Sequence, residues 1–376
     1  MVRKGSRVRV SFRALIYRAF FRLVLQRIPA WRAHHLAATT TRFLAAVPGF
    51  LALSDWLLRP RDPGLRVRVG DLDFRSPLGV AAGMDKNATW FDPLTALGFG
   101  FVEVGTATAQ AQAGNLDFVS RLPKDRALIN ALGFPNEGAA AMASRLARRR
   151  TREVIGVNVG KTKIVDLDQA VADYRESVRI LAPFADYLAL NVSSPNTPGL
   201  RQMQTVERLT ELVAGVREEL RGCGRPQLPL MIKLAPDLSN AEIEEIATMA
   251  VDLELAGLIA VNTTTDISAA SNSGAELAAQ SHGGGISGRP LRPRAAEVLR
   301  LLHARTGGRL ALVSVGGIET ADDAWDRILA GASLLQGQTA FVYEGPLWAR
   351  RMNRGIARRL RESEWSTLEE ARGAHI

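Results

Sequence analysis

From residue 78 onward, short apolar runs alternate with amphipathic stretches. The runs are 78–85 (LGVAAGMD), 100–108 (GFVEVGTAT), 153–160 (EVIGVNVG), 186–194 (DYLALNVSS), 229–236 (PLMIKLAP), 257–264 (GLIAVNTT), 310–317 (LALVSVGG) and 333–339 (SLLQGQT). Each is brief and rich in branched aliphatics, as a strand buried on both faces must be. Between them, 137–150, 204–221, 239–256 and 320–331 carry the helical period. Alternating β and α elements predict a parallel sheet with helices outside, and eight units is the number of a (β/α)8 barrel. A doubly wound open sheet is the competitor on pattern alone. The run ends favour the barrel. Asp85-Lys86, Thr106 to Thr108, Asn158, Asn191 to Asn196, Lys233, Asn262-Thr263, Gly316-Gly317 and Gln338-Thr339 are polar or glycine, and a barrel gathers such ends on one rim, where active sites are built.

Residues 1–60 follow another pattern. Phe12, Leu15, Ile16, Ala19, Phe20 and Leu23 recur at helical spacing with Arg18 and Arg22 opposite, and a second helix is predicted from about His34 to Ala46, stopped by Pro48-Gly49. The longest uncharged run, Phe43–Ser54, is far short of the roughly 20 residues that cross a bilayer. Arginines interrupt the apolar region, which argues against a cleavable signal. An arginine-rich amphipathic helix lying in a membrane interface fits best; a helical cap on the barrel and a mitochondrial transit peptide are the other readings.

Charge sharpens that picture. The net charge of +10 points to an anionic partner, nucleic acid or anionic lipid. Residues 1–35 hold Arg3, Lys4, Arg7, Arg9, Arg13, Arg18, Arg22, Arg27 and Arg32 and no acid, interleaved with apolar side chains. That placement favours an anionic lipid surface over nucleic acid. The chain of 376 residues exceeds the roughly 250 of a lone barrel, leaving room for such an extension. Its single cysteine, Cys223, and five histidines without ligand spacing exclude a disulfide framework and make a metal site improbable.

Three motifs fail on inspection. Gly156-Val-Asn-Val-Gly160-Lys161-Thr162 has three residues between its glycines where a P-loop needs four. His282-Gly-Gly-Gly285 is like an esterase oxyanion loop, but the chain has no GxSxG elbow. No GxGxxG follows the first strand, so a Rossmann site has no support.

What remains is specific. Asn191-Val-Ser-Ser-Pro-Asn-Thr-Pro-Gly-Leu-Arg201 crowds polar groups into a loop stiffened by two prolines. It resembles the corresponding loop of the second, membrane-associated class of dihydroorotate dehydrogenases. The resemblance continues in collinear order over roughly residues 12–360. It runs through Ala81-Ala-Gly-Met-Asp-Lys86, Gly105-Thr106, Asn130-Ala-Leu-Gly-Phe134, Asn158-Val-Gly-Lys161, Lys233-Leu-Ala-Pro-Asp237, Asn262-Thr-Thr264, Gly284-Gly-Ile-Ser-Gly-Arg-Pro-Leu291 and Val315-Gly-Gly-Ile318. It implies a TIM barrel at 61–376, a membrane and quinone-access segment at 1–60, and oxidation of dihydroorotate to orotate in pyrimidine biosynthesis. It also implies one non-covalently bound FMN per subunit, a quinone acceptor, and no nucleic-acid or obligate protein partner. The expected location is peripheral, on the cytoplasmic face of a bacterial membrane or, in a eukaryote, the mitochondrial inner membrane.

The same resemblance assigns residues. Ser194 is the base for the C5 proton, with Thr197 in its relay; the first class uses cysteine, and Cys223 sits in a linker after a helix, away from the strand ends. Lys86, Asn130, Ala131, Leu132, Gly133, Phe134, Asn191, Asn196, Asn262 and Thr263 match substrate contacts; asparagine suits an imide edge, having donors and an acceptor. Ala82, Gly83, Met84, Asp85, Lys86, Thr106, Asn158, Asn191, Lys233, Val261, Gly288, Gly316, Gly317, Gln338 and Thr339 match the FMN site, with Lys233 beside the flavin pyrimidine. His34 and Arg121 match the quinone tunnel.

Some positions depart from the family pattern. Ala131 replaces an arginine, Pro135 an asparagine, Val261 a threonine and Gln338 a tyrosine, and Asp117-Phe-Val-Ser-Arg121 differs from the usual Pro-Arg-x-Phe-Arg. Two other readings therefore stand beside the active enzyme: a flavin-binding paralogue without turnover, and a related flavin barrel using fumarate or NAD.

Overall fold

The computed structural model describes residues 12–115, 119–278 and 284–375. Arg3, Lys4, Arg7, Arg9, Asp117, Phe118, His282 and Gly283, all singled out above, lie outside them.

Eight parallel strands close into a barrel. They are β1 (Leu78–Val80), β2 (Phe101–Ala107), β3 (Val154–Val159), β4 (Tyr187–Asn191), β5 (Leu230–Leu234), β6 (Gly257–Ala260), β7 (Ala311–Val315) and β8 (Leu334–Gly337). Every apolar run of the sequence supplies one strand, and β8 pairs back onto β1 through Leu335 and Leu78, which rules out the open sheet. The first run is shorter than expected, because the chain leaves the sheet after Val80 and Gly83 adopts φ +99, a backbone that side-chain-bearing residues rarely take. Outer helices start where the sequence offers caps. Ser239 with Glu242 and Thr320 with Asp323 form capping boxes for helices Asn240–Asp252 and Ala321–Leu329.

Phe74, Phe101, Tyr187, Met231, Ile259, Val313 and Leu334 fill the lower barrel. Phe74 comes from a hairpin (Val67–Val69 with Leu72–Phe74) that the hydrophobic pattern does not reveal, and its ring meets Phe101 edge-on at 5.2 Å. This plug leaves only the C-terminal rim for chemistry.

A second feature missed in the sequence is a three-stranded antiparallel sheet, Val119–Leu122, Ala127–Asn130 and Gly285–Gly288, which sets Asn130 opposite Gly285. Its first two strands form a local hairpin, and the third, Gly285–Gly288, comes from a distant part of the chain.

Three helices precede the barrel: α1 (Phe12–Leu23), α2 (Ala30–Ala46) and α3 (Phe50–Leu58). The second begins at Ala30, earlier than predicted, and α3 was not foreseen; it turns 109° from α2. No single described helix is long and apolar enough to cross a membrane. Tyr17, Arg18 and Phe21 turn toward the barrel: Tyr17 OH donates to the Val342 carbonyl (2.9 Å), Arg18 pairs with Glu344 (2.6 Å) and Phe21 stacks on Tyr343. The stripe containing Ile16, Phe20 and Leu23 is thereby left outward. Ten of the twelve large apolar side chains exposed among the described residues lie between Ile16 and Leu57, including Phe43 at 73% and Trp56 at 61%. Such clustering marks an interaction surface.

Candidate active site

Strand ends β2, β3, β4 and β6 are joined by one chain of side-chain hydrogen bonds. Thr106 Oγ1 donates to Asn158 Oδ1 (2.6 Å), and Asn191 Nδ2 donates to both Thr106 Oγ1 (2.9 Å) and Asn158 Oδ1 (3.1 Å). Asn262 Nδ2 reaches Ser193 Oγ (3.0 Å) and Asn191 Oδ1 (3.4 Å). Thr106, Asn158 and Asn191 are buried, where a polar group must be paired to be tolerated.

Beneath this layer lies Glu103, absent from the sequence reading. Fully buried on β2, it accepts from Asn158 Nδ2 (2.8 Å), Tyr187 OH (2.9 Å) and Gln336 Nε2 (2.8 Å). Burial among strands made it look like an ordinary member of an apolar run; only its being an acid there was a signal. Lys233 Nζ stands 4.0 Å away and donates to no described residue. Desolvation pushes the Lys233 ammonium below its usual pKa, and Glu103 pulls it back up. Lys86 is likewise pushed down by desolvation against the pull of Asp85, and it too donates to no described residue. The Asp85 carboxylate turns inward to accept from the Thr89 and Trp90 amides (2.8 and 2.7 Å), and burial raises its pKa against those hydrogen bonds.

The loop after β4 is tied down by Arg201, which donates to the Ser193 carbonyl (3.3 Å), the Thr263 carbonyl (3.0 Å) and Asp237 (2.7 Å). Ser194 is buried, and its Oγ accepts the Asn196 amide at 3.2 Å. Thr197 is buried as well, and its Oγ1 has no partner among the described residues. Asn196 Nδ2 donates to the Asn130 carbonyl at 3.1 Å, so the small sheet and the β4 loop meet. The segment Ala131, Leu132, Gly133, Phe134 beside them is held by neighbours that sequence reasoning passed over. Asn115 Nδ2 donates to the Ala131 carbonyl (2.9 Å), Gln112 Nε2 to those of Gly133 and Phe134, and Asn136 Nδ2 to that of Phe134 (2.9 Å).

A narrow cleft opens beside this layer, lined by Ala82, Lys233, Val261, Asn262, Thr263, Gly288, Gly316, Gly317, Gln338 and Thr339 among others. Its glycines are sterically required. A Cβ on Gly288 (φ +99) would lie 2.6 Å from the Arg126 carbonyl oxygen, and one on Gly317 (φ +73) 2.6 Å from Arg292 Cα. Gln338 lies against Gly83: a Cβ there would be 3.5 Å from Gln338 Oε1. Met84 is buried in the core behind this edge.

His34 and Arg121 both lie where the N-terminal helices meet the barrel. The His34 ring meets Trp90 edge-on at 5.6 Å. Burial, with Lys86 and His35 nearby, lowers its pKa to about 3, so the imidazole is neutral at ordinary pH. Arg121 donates to the Ile28 carbonyl (2.8 Å) and lies over Phe21 (5.7 Å). The discarded motif is structural: Lys161 Nζ donates to the Thr162 carbonyl (3.0 Å), while Thr162 Oγ1 donates to Asp173 (2.7 Å). Cys223 caps the far end of helix Val206–Gly222, which runs back from the rim toward the barrel floor.

The comparisons agree with this geometry. A family model described as dihydroorotate dehydrogenase matches residues 64–360. Among curated relatives, the dihydroorotate dehydrogenase (quinone) of Thermobifida fusca is 50% identical over 367 residues, covering 96% of this chain and 97% of that one. That of Mycobacterium tuberculosis is 49% identical over 354 residues, covering 94% and 97%. The crystal structure of the Eimeria tenella DHODH in complex with ferulenol superposes with a TM-score of 0.80 at 35% identity, covering 90% of this chain and 95% of that one. The ligand-free form from the same organism gives 0.75 at 36%, covering 86% and 98%. With the family model and half-identical relatives spanning nearly the whole chain, this chain belongs to the dihydroorotate dehydrogenase family, in its class 2 branch.

Proposed function

We propose that the chain oxidises dihydroorotate to orotate in pyrimidine biosynthesis, using FMN as cofactor and a membrane quinone as acceptor. The observation that carries this reading is the joined rim: Thr106, Asn158, Asn191, Asn262 and Ser193 in one hydrogen-bonded layer, flanked by a buried Ser194 and the unpartnered hydroxyl of Thr197.

The residues suit FMN. Loops after β6, β7 and β8 bring Gly288, Gly316, Gly317 and Thr339 together, and backbone N–H groups freed by glycine are the usual barrel cradle for a phosphate. Lys233 offers an ammonium without a hydrogen-bonded partner among the described residues, suited to the negative charge a reduced isoalloxazine carries. FMN, when bound, supplies a two-electron acceptor for substrate that can be reoxidised by quinone.

This chain's own groups handle the rest. Ser194 removes the C5 proton while hydride leaves C6 from the other face, giving orotate. Thr197 Oγ1, having no hydrogen-bond partner among the described residues, is free to pass that proton on. Asn130, Asn191, Asn196 and Asn262 hold the imide edge and the carboxylate, and Lys86 offsets the substrate's negative charge. Ser194, Thr197 and Asn191 are buried and the asparagines are tied by hydrogen bonds, which limits reorganisation during the reaction.

Residues 1–60 form the membrane and quinone-access segment and 61–376 the catalytic domain. The outward apolar faces of α1–α3 lie in the bilayer interface at the cytoplasmic side, and His34 and Arg121 flank the quinone path to the rim. The test is quinone-coupled orotate production by the purified, yellow protein in detergent. Flavin retained with no turnover at saturating substrate would sink the proposal.

A further inference from the structure

A second cleft, of about 400 Å³, shares no lining residue with the cleft at the rim. It opens between the end of α3, the connector that follows it, and helix Trp348–Arg361. Five arginines line it (Arg59, Arg61, Arg350, Arg354 and Arg361) against one acid, Asp62. The internal pairings leave positive charge over. Arg59 pairs with Asp55 and Arg361 with Asp62, while Arg61 donates to the Trp56 carbonyl at 2.7 Å and lies over the Trp56 ring at 5.3 Å. The side chains of Arg350 and Arg354, on helix Trp348–Arg361, neither hydrogen-bond nor pair with any described residue. Self-repulsion among such groups is unfavourable unless an anion joins them.

The setting decides which anion. Trp56 and Leu57, on the lip of the cleft, belong to the outward apolar patch. Tryptophan favours the headgroup level of a bilayer, and guanidinium forks match phosphate oxygens bidentately. A chain lying with α3 in the interface therefore sets this cleft at the depth of the phosphates. We propose that the cleft seats the phosphodiester of an anionic phospholipid, with Arg350 and Arg354 as its principal ligands and Trp56 beside the acyl chains. The inference rests on the interface reading of α1–α3, and it adds a localised headgroup site to a diffuse attraction.

The test is co-sedimentation of full-length, flavin-loaded protein with phosphatidylcholine vesicles, with and without phosphatidylglycerol. Wild type is expected to bind neutral vesicles through its apolar patch and anionic ones more tightly. Arg350→Gln/Arg354→Gln is expected to keep neutral binding, melting temperature and dye-coupled turnover. It should weaken anionic binding by more than roughly 30-fold, the most that diffuse attraction of two basic residues at about 1 kcal/mol each would account for. A charge-matched control, Arg22→Gln/Arg27→Gln, should lose distinctly less. Equal losses in the two variants, or none in the first, overturn the cleft assignment. Absence of binding to either vesicle by wild type overturns the interface reading instead. Inorganic phosphate added at constant ionic strength should leave anionic binding intact; displacement through Arg350 and Arg354 would make the site one for free phosphate, not lipid.

Discussion

The Lys233 ammonium stands 4.0 Å from the Glu103 carboxylate within the barrel, and both side chains are almost wholly buried. Glu103 also takes hydrogen bonds from Asn158, Tyr187 and Gln336, so one acid from β2 organises four other strands. Removing one member of a buried pair costs about 3–5 kcal/mol, because the other charge stays behind. Glu103→Gln should therefore lower thermal stability strongly, and Lys233→Met should do the same. The double variant should recover part of the loss, giving a coupling above about 1 kcal/mol in a double-mutant cycle, while turnover stays low. Strictly additive losses would show that the two charges do not act as a pair.

Thr197 separates stability from turnover. A buried hydroxyl without a partner carries a penalty of about 1–3 kcal/mol, and Thr197 Oγ1 is such a group. Thr197→Val keeps the shape and removes the penalty. It should melt at the same temperature as wild type or higher, yet turn over at least about tenfold more slowly if the hydroxyl relays the proton. Ser194→Ala should retain flavin and lose about 10²–10⁴ in rate, the span of general-base contributions. Full activity in Thr197→Val would remove that residue from the mechanism.

The sequence yields the barrel because each parallel strand is a continuous apolar run ending in polar residues, a signal that needs no knowledge of partners. Asn191, Asn196 and Asn262 stand out for the same reason. The hairpin carrying Phe74 and the sheet carrying Asn130 give no such signal, since strands of three or four residues are too short to show a period, and Asn130 meets Gly285 only across the fold. Arg18 misleads in another way. Helical spacing puts it on the polar face, and only the position of Glu344 reveals that this face turns inward. Gln112, Asn115 and Asn136, which grip the 131–134 carbonyls, are ordinary polar loop residues until the chain is folded.

His34 makes the docking of α2 sensitive to acid. Its pKa is lowered from 6.5 to about 3 by burial, with Lys86 and His35 adding repulsion. Between those values the unfolded or undocked chain binds the proton and the docked one does not, so stability rises with pH across that window. The stabilisation is complete above about pH 6.5 and is lost as pH falls toward the folded value. The melting temperature should fall as pH drops through this window. His34→Phe keeps the ring packing and should flatten the response. An unchanged profile in that variant would assign the acid sensitivity to another group.

Glu344 controls a different helix. Nearly buried, it accepts Arg18 (2.6 Å), Arg126 (2.7 Å) and Arg351 (2.8 Å), and its helix, Thr339–Glu344, begins at the cleft residue Thr339. The acid thus links α1 to the segment leading away from the flavin side of the rim. Arg18 is more than a third exposed, so Arg18→Gln should cost at most about 1 kcal/mol, as surface pairs do. Glu344→Gln leaves Arg18 and Arg351 without an anion, Arg126 keeping only Glu319 (2.9 Å), and should cost several times more. Both variants loosen α1 and the Tyr17–Phe21–Tyr343 contact while leaving Ser194, the asparagines and Lys233 in place. The expected result is a raised KM for a quinone analogue, larger for Glu344→Gln, with turnover by a water-soluble dye acceptor close to wild type. Equal losses with both acceptors would mean that α1 supports the catalytic rim itself and not the approach of quinone to it.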